Sequence, residues 1–156
     1  MFLFAGFQAR IILIPENTSM PRALKTLRLV QWSMLASIVL YAGLGEVVRP
    51  AARGINPTLS YLFTTLGVAI VGIILVVRRT LVLRLAAILA AAPDDLISLD
   101  HWKTGYMATY ALCEGLALLG LAQRFLGDSR QKSIPYYVGG FILLAFFRPQ
   151  QPARAA

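Results

Sequence analysis

Residues 58–79 read TLSYLFTTLGVAIVGIILVVRR. Twenty residues without a charge, ended by an arginine pair, are what a membrane-crossing helix needs. At about 1.5 Å per residue, roughly 20 apolar residues cover about 30 Å of hydrocarbon. Two further stretches have this character. Residues 27–45, LRLVQWSMLASIVLYAGLG, carry Arg28 and Gln31 near one end and Glu46 just past the other. Residues 104–122, TGYMATYALCEGLALLGLA, stop at Gln123-Arg124. A fourth stretch, residues 134–147, IPYYVGGFILLAFF, is shorter and ends at Arg148-Pro149. It spans if Lys132 and Arg148 snorkel to the two interfaces. Pro135 suits a first-turn position, where its missing N–H costs nothing.

The whole composition agrees with these spans. Of 156 residues, 58% are hydrophobic and 14% charged, with a net charge of +8. An ordinary soluble domain carries about 25% charged residues. The balance excludes a water-soluble enzyme domain and a disordered tail. One cysteine, Cys113, excludes a disulfide scaffold. No stretch alternates like a barrel strand, and lipid leaves no backbone unpaired, so the spans are helices. The expected fold is all-α: an integral membrane four-helix bundle.

Between spans two and three lies Thr80–Ala92, TLVLRLAAILAAA, apolar on nearly every face. Thirteen residues are too few to cross a bilayer. The segment is expected to continue the second helix past Arg78-Arg79 or to form a separate short helix. A helix apolar all round wants burial. It packs on its own bundle or docks a second copy or another membrane protein. Pro93-Asp94-Asp95 ends it and offers a cap for the next helix. Residues 1–19 fit a secretory signal poorly, because Arg10 splits the apolar run. They are read as an extension ahead of the domain. The domain itself is expected over residues 20–149, followed by a polar tail at 150–156.

Basic residues favour the cytoplasmic side. With four spans, the N-terminus, the middle connection and the C-terminus share one side and hold ten Lys and Arg residues. The connections on the other side hold five: Arg49, Arg53, Arg124, Arg130 and Lys132. Both termini are therefore expected inside the cell. The basic excess is spread around the spans, with no recognition motif, which argues against nucleic acid and for the lipid bilayer as partner.

Glu114 is the residue with a functional claim. It lies inside the third span with no basic residue within a turn, and ionisable groups there are functional candidates by default. Desolvation favours the neutral acid. Tyr110 stands one turn earlier and is a candidate hydrogen-bond partner. Ser33, Ser37, Tyr41, Thr64, Thr65, Tyr136 and Tyr137 are other reachable hydroxyls. Ala111 and Gly115 form a small-xxx-small step that permits close helix contact. Glu114 either pins the bundle together or binds a proton or cation for transport. His101, beside Asp100 and near Asp94 and Asp95, lacks the several His or Cys ligands of usual metal sites. Trp32 and Trp102 are expected at the membrane interfaces. Cys113 reads as a small apolar core residue. No nucleophile, phosphate-loop or cofactor motif is present. No catalytic residue, metal or cofactor is therefore expected.

Tyr110–Gly127, YALCEGLALLGLAQRFLG, resembles the carboxylate-bearing helix of rotary ATPase proteolipid subunits, which place one acid mid-membrane among alanines and glycines. Glu114, Gly115, Ala117, Gly120 and Leu121 carry the likeness, and it implies an ion-carrying role for Glu114. The whole chain resembles small four-helix bacterial membrane proteins with a glutamate in the third helix and a closing Arg-Pro, here Arg148-Pro149. That resemblance implies a bacterial membrane protein and by itself assigns no activity. The function expected from the chain is that of a non-enzymatic accessory subunit or self-associating bundle. The alternative is a small proton- or cation-coupled transporter using Glu114.

Overall fold

A computed structural model describes residues 20–47, 56–91 and 95–150. The expected extension at 1–19 and the tail beyond residue 150 lie outside these residues. The described chain is all-helical, with four helices. They are α1 (Met20–Val47), α2 (Pro57–Ala91), α3 (Leu96–Phe125) and α4 (Arg130–Phe146). The first three are long and apolar enough to cross a membrane. With 17 residues, α4 is about 26 Å long.

α2 and α3 start where polar side chains supply a cap. Asn56 accepts the Thr58 N–H at 3.0 Å ahead of α2, with Pro57 at the first position. Asp95 accepts the Ile97 N–H at 3.1 Å ahead of α3, and Ser98 donates to its other oxygen. That hydrogen bond holds the Asp95 carboxyl below the usual carboxylate range. At the far end of α3, Gly127 takes a left-handed φ of 91°. Its N–H donates to Arg124, and the Asp128 N–H to Gln123, both at 3.1 Å. These two bonds satisfy carbonyls that a helix end otherwise leaves open, and glycine alone adopts that φ without strain.

α4 begins at Arg130, earlier than the apolar run suggested; the Ser129 backbone carbonyl accepts the N–H of Lys132 and Ser133, and its side chain makes no capping bond. Pro135 is therefore inside the helix, not in its first turn. Its missing N–H faces the carbonyl of Gln131, an exposed residue.

The second helix does continue past Arg78-Arg79, through a π-helical stretch at Arg78–Leu83. Its buried residues explain the wider turn. They are Gly67, Ile74, Val82 and Leu89, spaced seven, eight and seven apart. A π turn absorbs one extra residue, so both halves present the same face to α3. Gly105 lets this stretch approach: a Cβ there would lie 2.9 Å from the Leu81 Cβ.

α3 is the central helix and packs against all the others. Its buried positions run from Ser98 to Gln123, whereas α2 buries little and carries exposed Tyr61, Leu62, Val68 and Val76. α3 and α4 come close at Gly140, where a Cβ would stand 2.7 Å from the Cys113 carbonyl. Thr80–Ala91 packs on its own bundle through Val82 and Leu89, in one buried cluster with Leu24, Leu27, Leu99 and Trp102. Trp102 is fully buried, edge-on to Tyr106 at 4.8 Å. It is a core residue and not an interface belt residue, because the ends of α1 and α2 extend alongside it. Trp32 is exposed.

Candidate functional site

Glu114 sits on α3, half-buried, and its Oε1 accepts a hydrogen bond from the Tyr41 hydroxyl on α1 at 2.8 Å. Among the reachable hydroxyls, Tyr41 is the one that meets it. Tyr110 does not. Helical side chains lean toward the N-terminus of their helix, so the ring of Tyr110 carries its hydroxyl away from Glu114. That hydroxyl donates instead to the Phe147 carbonyl at 3.2 Å. Ser37 and Thr64 are spent on carbonyls one turn back in their own helices.

The C-terminal end of α4 gathers hydrogen bonds from its neighbours. A helix leaves its last four carbonyls without partners. Here other helices supply donors. Gln31 of α1 donates to the Leu144 carbonyl at 2.7 Å. Tyr110 and Tyr106 of α3 donate to the carbonyls of Phe147 and Arg148. The Arg78 guanidinium of α2 lies 3.9 Å from the centre of the Phe147 ring, where a cation meets the negative ring face. All three neighbouring helices thus grip one helix end. Sequence reading placed Gln31 and Tyr110 but not this role. A signal was present: a lone glutamine in an apolar run, and aromatics Trp102, Tyr106 and Tyr110 at four-residue steps on one face of α3.

The other end of the bundle has a separate polar lock. Arg124 donates to the Gly45 carbonyl of α1 at 3.2 Å and to the Asp128 carbonyl at 3.0 Å. Buried Asp128 pairs with Lys132 at 3.2 Å, and Arg130 pairs with Glu46 at 3.1 Å. A Cβ on Gly45 would meet the Tyr137 hydroxyl at 2.9 Å, which is why the smallest residue stands there.

Three grooves open on the described bundle. One, of about 510 Å³, runs between α2 and α4 over α3, apolar along Val68, Val71 and Leu143, with Gln123 and Lys132 at one end. A second, of about 400 Å³, lies between the end of α1 and the start of α4, beside Glu46, Arg124 and Arg130. The third, of about 610 Å³, lies between the start of α1 and the end of α4, flanked by Arg28 and Arg148. His101 and Asp100 are exposed, and no three His, Cys, Asp or Glu side chains gather among the described residues. Cys113 is buried and unpaired.

No family model, curated protein or solved structure matches the chain. The likeness to a proteolipid helix therefore remains a local one, over Tyr110–Gly127.

Proposed function

We propose that this protein is a four-span, non-enzymatic protein of a bacterial inner membrane, acting as an accessory subunit or self-associating bundle. The spanning part rests on a spacing shared by all four helices. Arg28 to Glu46, Ser60 to Arg78, Tyr106 to Arg124 and Arg130 to Arg148 are each eighteen residues apart. Eighteen residues rise about 27 Å, close to the hydrocarbon thickness of a bilayer. Arg28 and Arg148 border one groove, and Arg78 lies on Phe147, so these three arginines share a level. Arg124, Arg130 and Glu46 share the other. By this reading α4 spans despite its 17 residues. The charge bias favours both termini on the cytoplasmic side.

The observation that carries the non-enzymatic part is the bond between Tyr41 and Glu114. It employs the intramembrane acid as a tie between two helices. Gln31, Tyr106 and Tyr110 are employed in the same way, on carbonyls. The partner surface consists of the lipid-facing side of α2 and the part of Thr80–Ala91 that leaves Leu83 and Ile88 exposed. Sedimentation in detergent tests association. A strictly monomeric protein that copurifies with nothing overturns the proposal.

The half-exposure of Glu114 favours one alternative, a proton- or cation-coupled transporter in which this carboxyl is reached from outside the helix pair. Flux into vesicles holding the purified protein separates the two. Flux that disappears in Glu114→Gln supports transport, and no flux of protons or cations supports the structural role.

A further inference from the structure

We infer that the groove between α1 and α4 beside Arg28 and Arg148 is a headgroup site for one anionic glycerophospholipid. The inference rests on the membrane-spanning reading. The two charged levels of the bundle differ in how their cations are used. At the level of Glu46, Arg130 and Lys132 each pair with a carboxylate, and Arg124 is bound to carbonyls. At the other level, Arg28 and Arg148 have no ion-pair partner among the described residues. Both border the same groove of about 610 Å³.

Two exposed arginines bordering one concavity suit a phosphodiester, whose oxygens accept paired N–H bonds from a guanidinium fork. The rest of the groove suits the remainder of a lipid. Leu35, Phe141 and Ala145 give it an apolar wall leading toward the bundle middle, where acyl chains would run. Trp32, 68% exposed, stands at its lip, where an indole has its ring in lipid and its N–H among headgroups. One N–H of the Gln31 amide is taken by the Leu144 carbonyl and the side chain is buried, so binding falls to the exposed arginines. A zwitterionic lipid would add a third cation beside these two, which selects for a headgroup of net negative charge.

The test uses the full chain purified in detergent and titrated with phosphatidylglycerol or phosphatidylcholine, with bound lipid counted by native mass spectrometry. One phosphatidylglycerol is expected to be retained in preference to phosphatidylcholine. Arg28→Gln with Arg148→Gln should weaken that preference about tenfold, since each arginine near a membrane surface contributes on the order of half a decade or more. Arg130→Gln with Lys132→Gln, at the other level, should leave it unchanged. Each single arginine variant should give a partial loss, so the site stays testable if the double variant does not fold. Equal retention of the two lipids by the unaltered protein, or an intact preference in the arginine variants, overturns the site. Carbonate extraction distinguishes that outcome from failure of the underlying reading. A protein that carbonate strips from membranes does not span them. One that resists stripping yet shows no preference spans without this site.

Discussion

The Tyr41 hydroxyl reaches across 2.8 Å from α1 to Oε1 of Glu114 on α3 and joins helices that are otherwise held mainly by apolar contact. Hydrogen bonds between membrane helices average about 0.6 kcal/mol and reach about 1.7. Glu114→Gln keeps an acceptor for Tyr41 and should cost on the order of 1 kcal/mol or less. Tyr41→Phe should cost a similar amount, and it should be non-additive with Glu114→Ala, which removes the acceptor, in a double-mutant cycle of unfolding in detergent. Glu114→Lys should be far worse, since it removes the acceptor and places an ammonium ion within the span. Additive effects would mean that the pair does not interact.

Gln31→Leu removes the donor that reaches the Leu144 carbonyl from α1. The carbonyl stays buried, so the loss should be about 1–3 kcal/mol, more than an exposed glutamine would cost. Tyr110→Phe should act on the same helix end through Phe147. Hydrogen exchange supplies the check: faster exchange is expected at the end of α4 in either variant, with the start of α4 unchanged.

Gly140 faces the backbone of Cys113, and backbone cannot rotate out of the way as a side chain can. Gly140→Ala should therefore destabilise the α3–α4 pair by about 1–3 kcal/mol, and Gly140→Leu should prevent a stable bundle. Gly72→Ala is the contrast, because a Cβ there meets nothing within 4 Å. Thermal unfolding of the three variants in one detergent gives the order.

Membrane orientation is tested with reporters. One fused after Ala156 should read inside the cell, and one placed between Gly127 and Ser133 should read outside. Both on one side would mean that α4 does not cross.

Asp95 sets a pH dependence at the start of α3. Its carboxyl is held below the ordinary value of 3.8 by the Ser98 hydroxyl first, with further help from backbone N–H groups. A carboxyl lowered on folding stabilises the folded state above its unfolded value, and that contribution fades as pH falls through the lowered value. Amide protection at Ile97 should hold from neutral pH down to about pH 4 and then decline. Asp95→Asn should flatten that decline. A protection profile with the same acid limb in both proteins would remove Asp95 as its source.

The helices were legible because apolar runs of nearly twenty residues and their charged stops are local features of the chain. The exit of α2 past Arg78-Arg79 was one of two readings the apolar run allowed, the other being a separate short helix. The eight-residue step between Ile74 and Val82 was not, because a helix apolar on every face gives no periodicity to read. Trp102 was misplaced, since a tryptophan near a span end looks alike whether lipid or a neighbouring helix covers it. At the site, Glu114 stood out by being an acid among apolar residues. Its partner depended on which way each tyrosine ring leans, and the lean of Tyr110 toward the start of α3 is a three-dimensional fact. Gln31 and Tyr106 find acceptors more than forty residues away in sequence, beyond any local pattern.

The grip on the end of α4 also imposes an order on synthesis. Ribosomes deliver the chain from its N-terminus, so Gln31, Arg78, Tyr106 and Tyr110 emerge before the segment they hold exists. Until Leu144, Phe147 and Arg148 appear, three polar hydrogen-bond donors inside the nascent bundle must find water, lipid headgroups or one another. The last helix is therefore the closing element of assembly. A nascent chain stopped after Phe125 should show weaker crosslinking between α1 and α3 than the completed one, and equal crosslinking would mean that the first three helices settle without it.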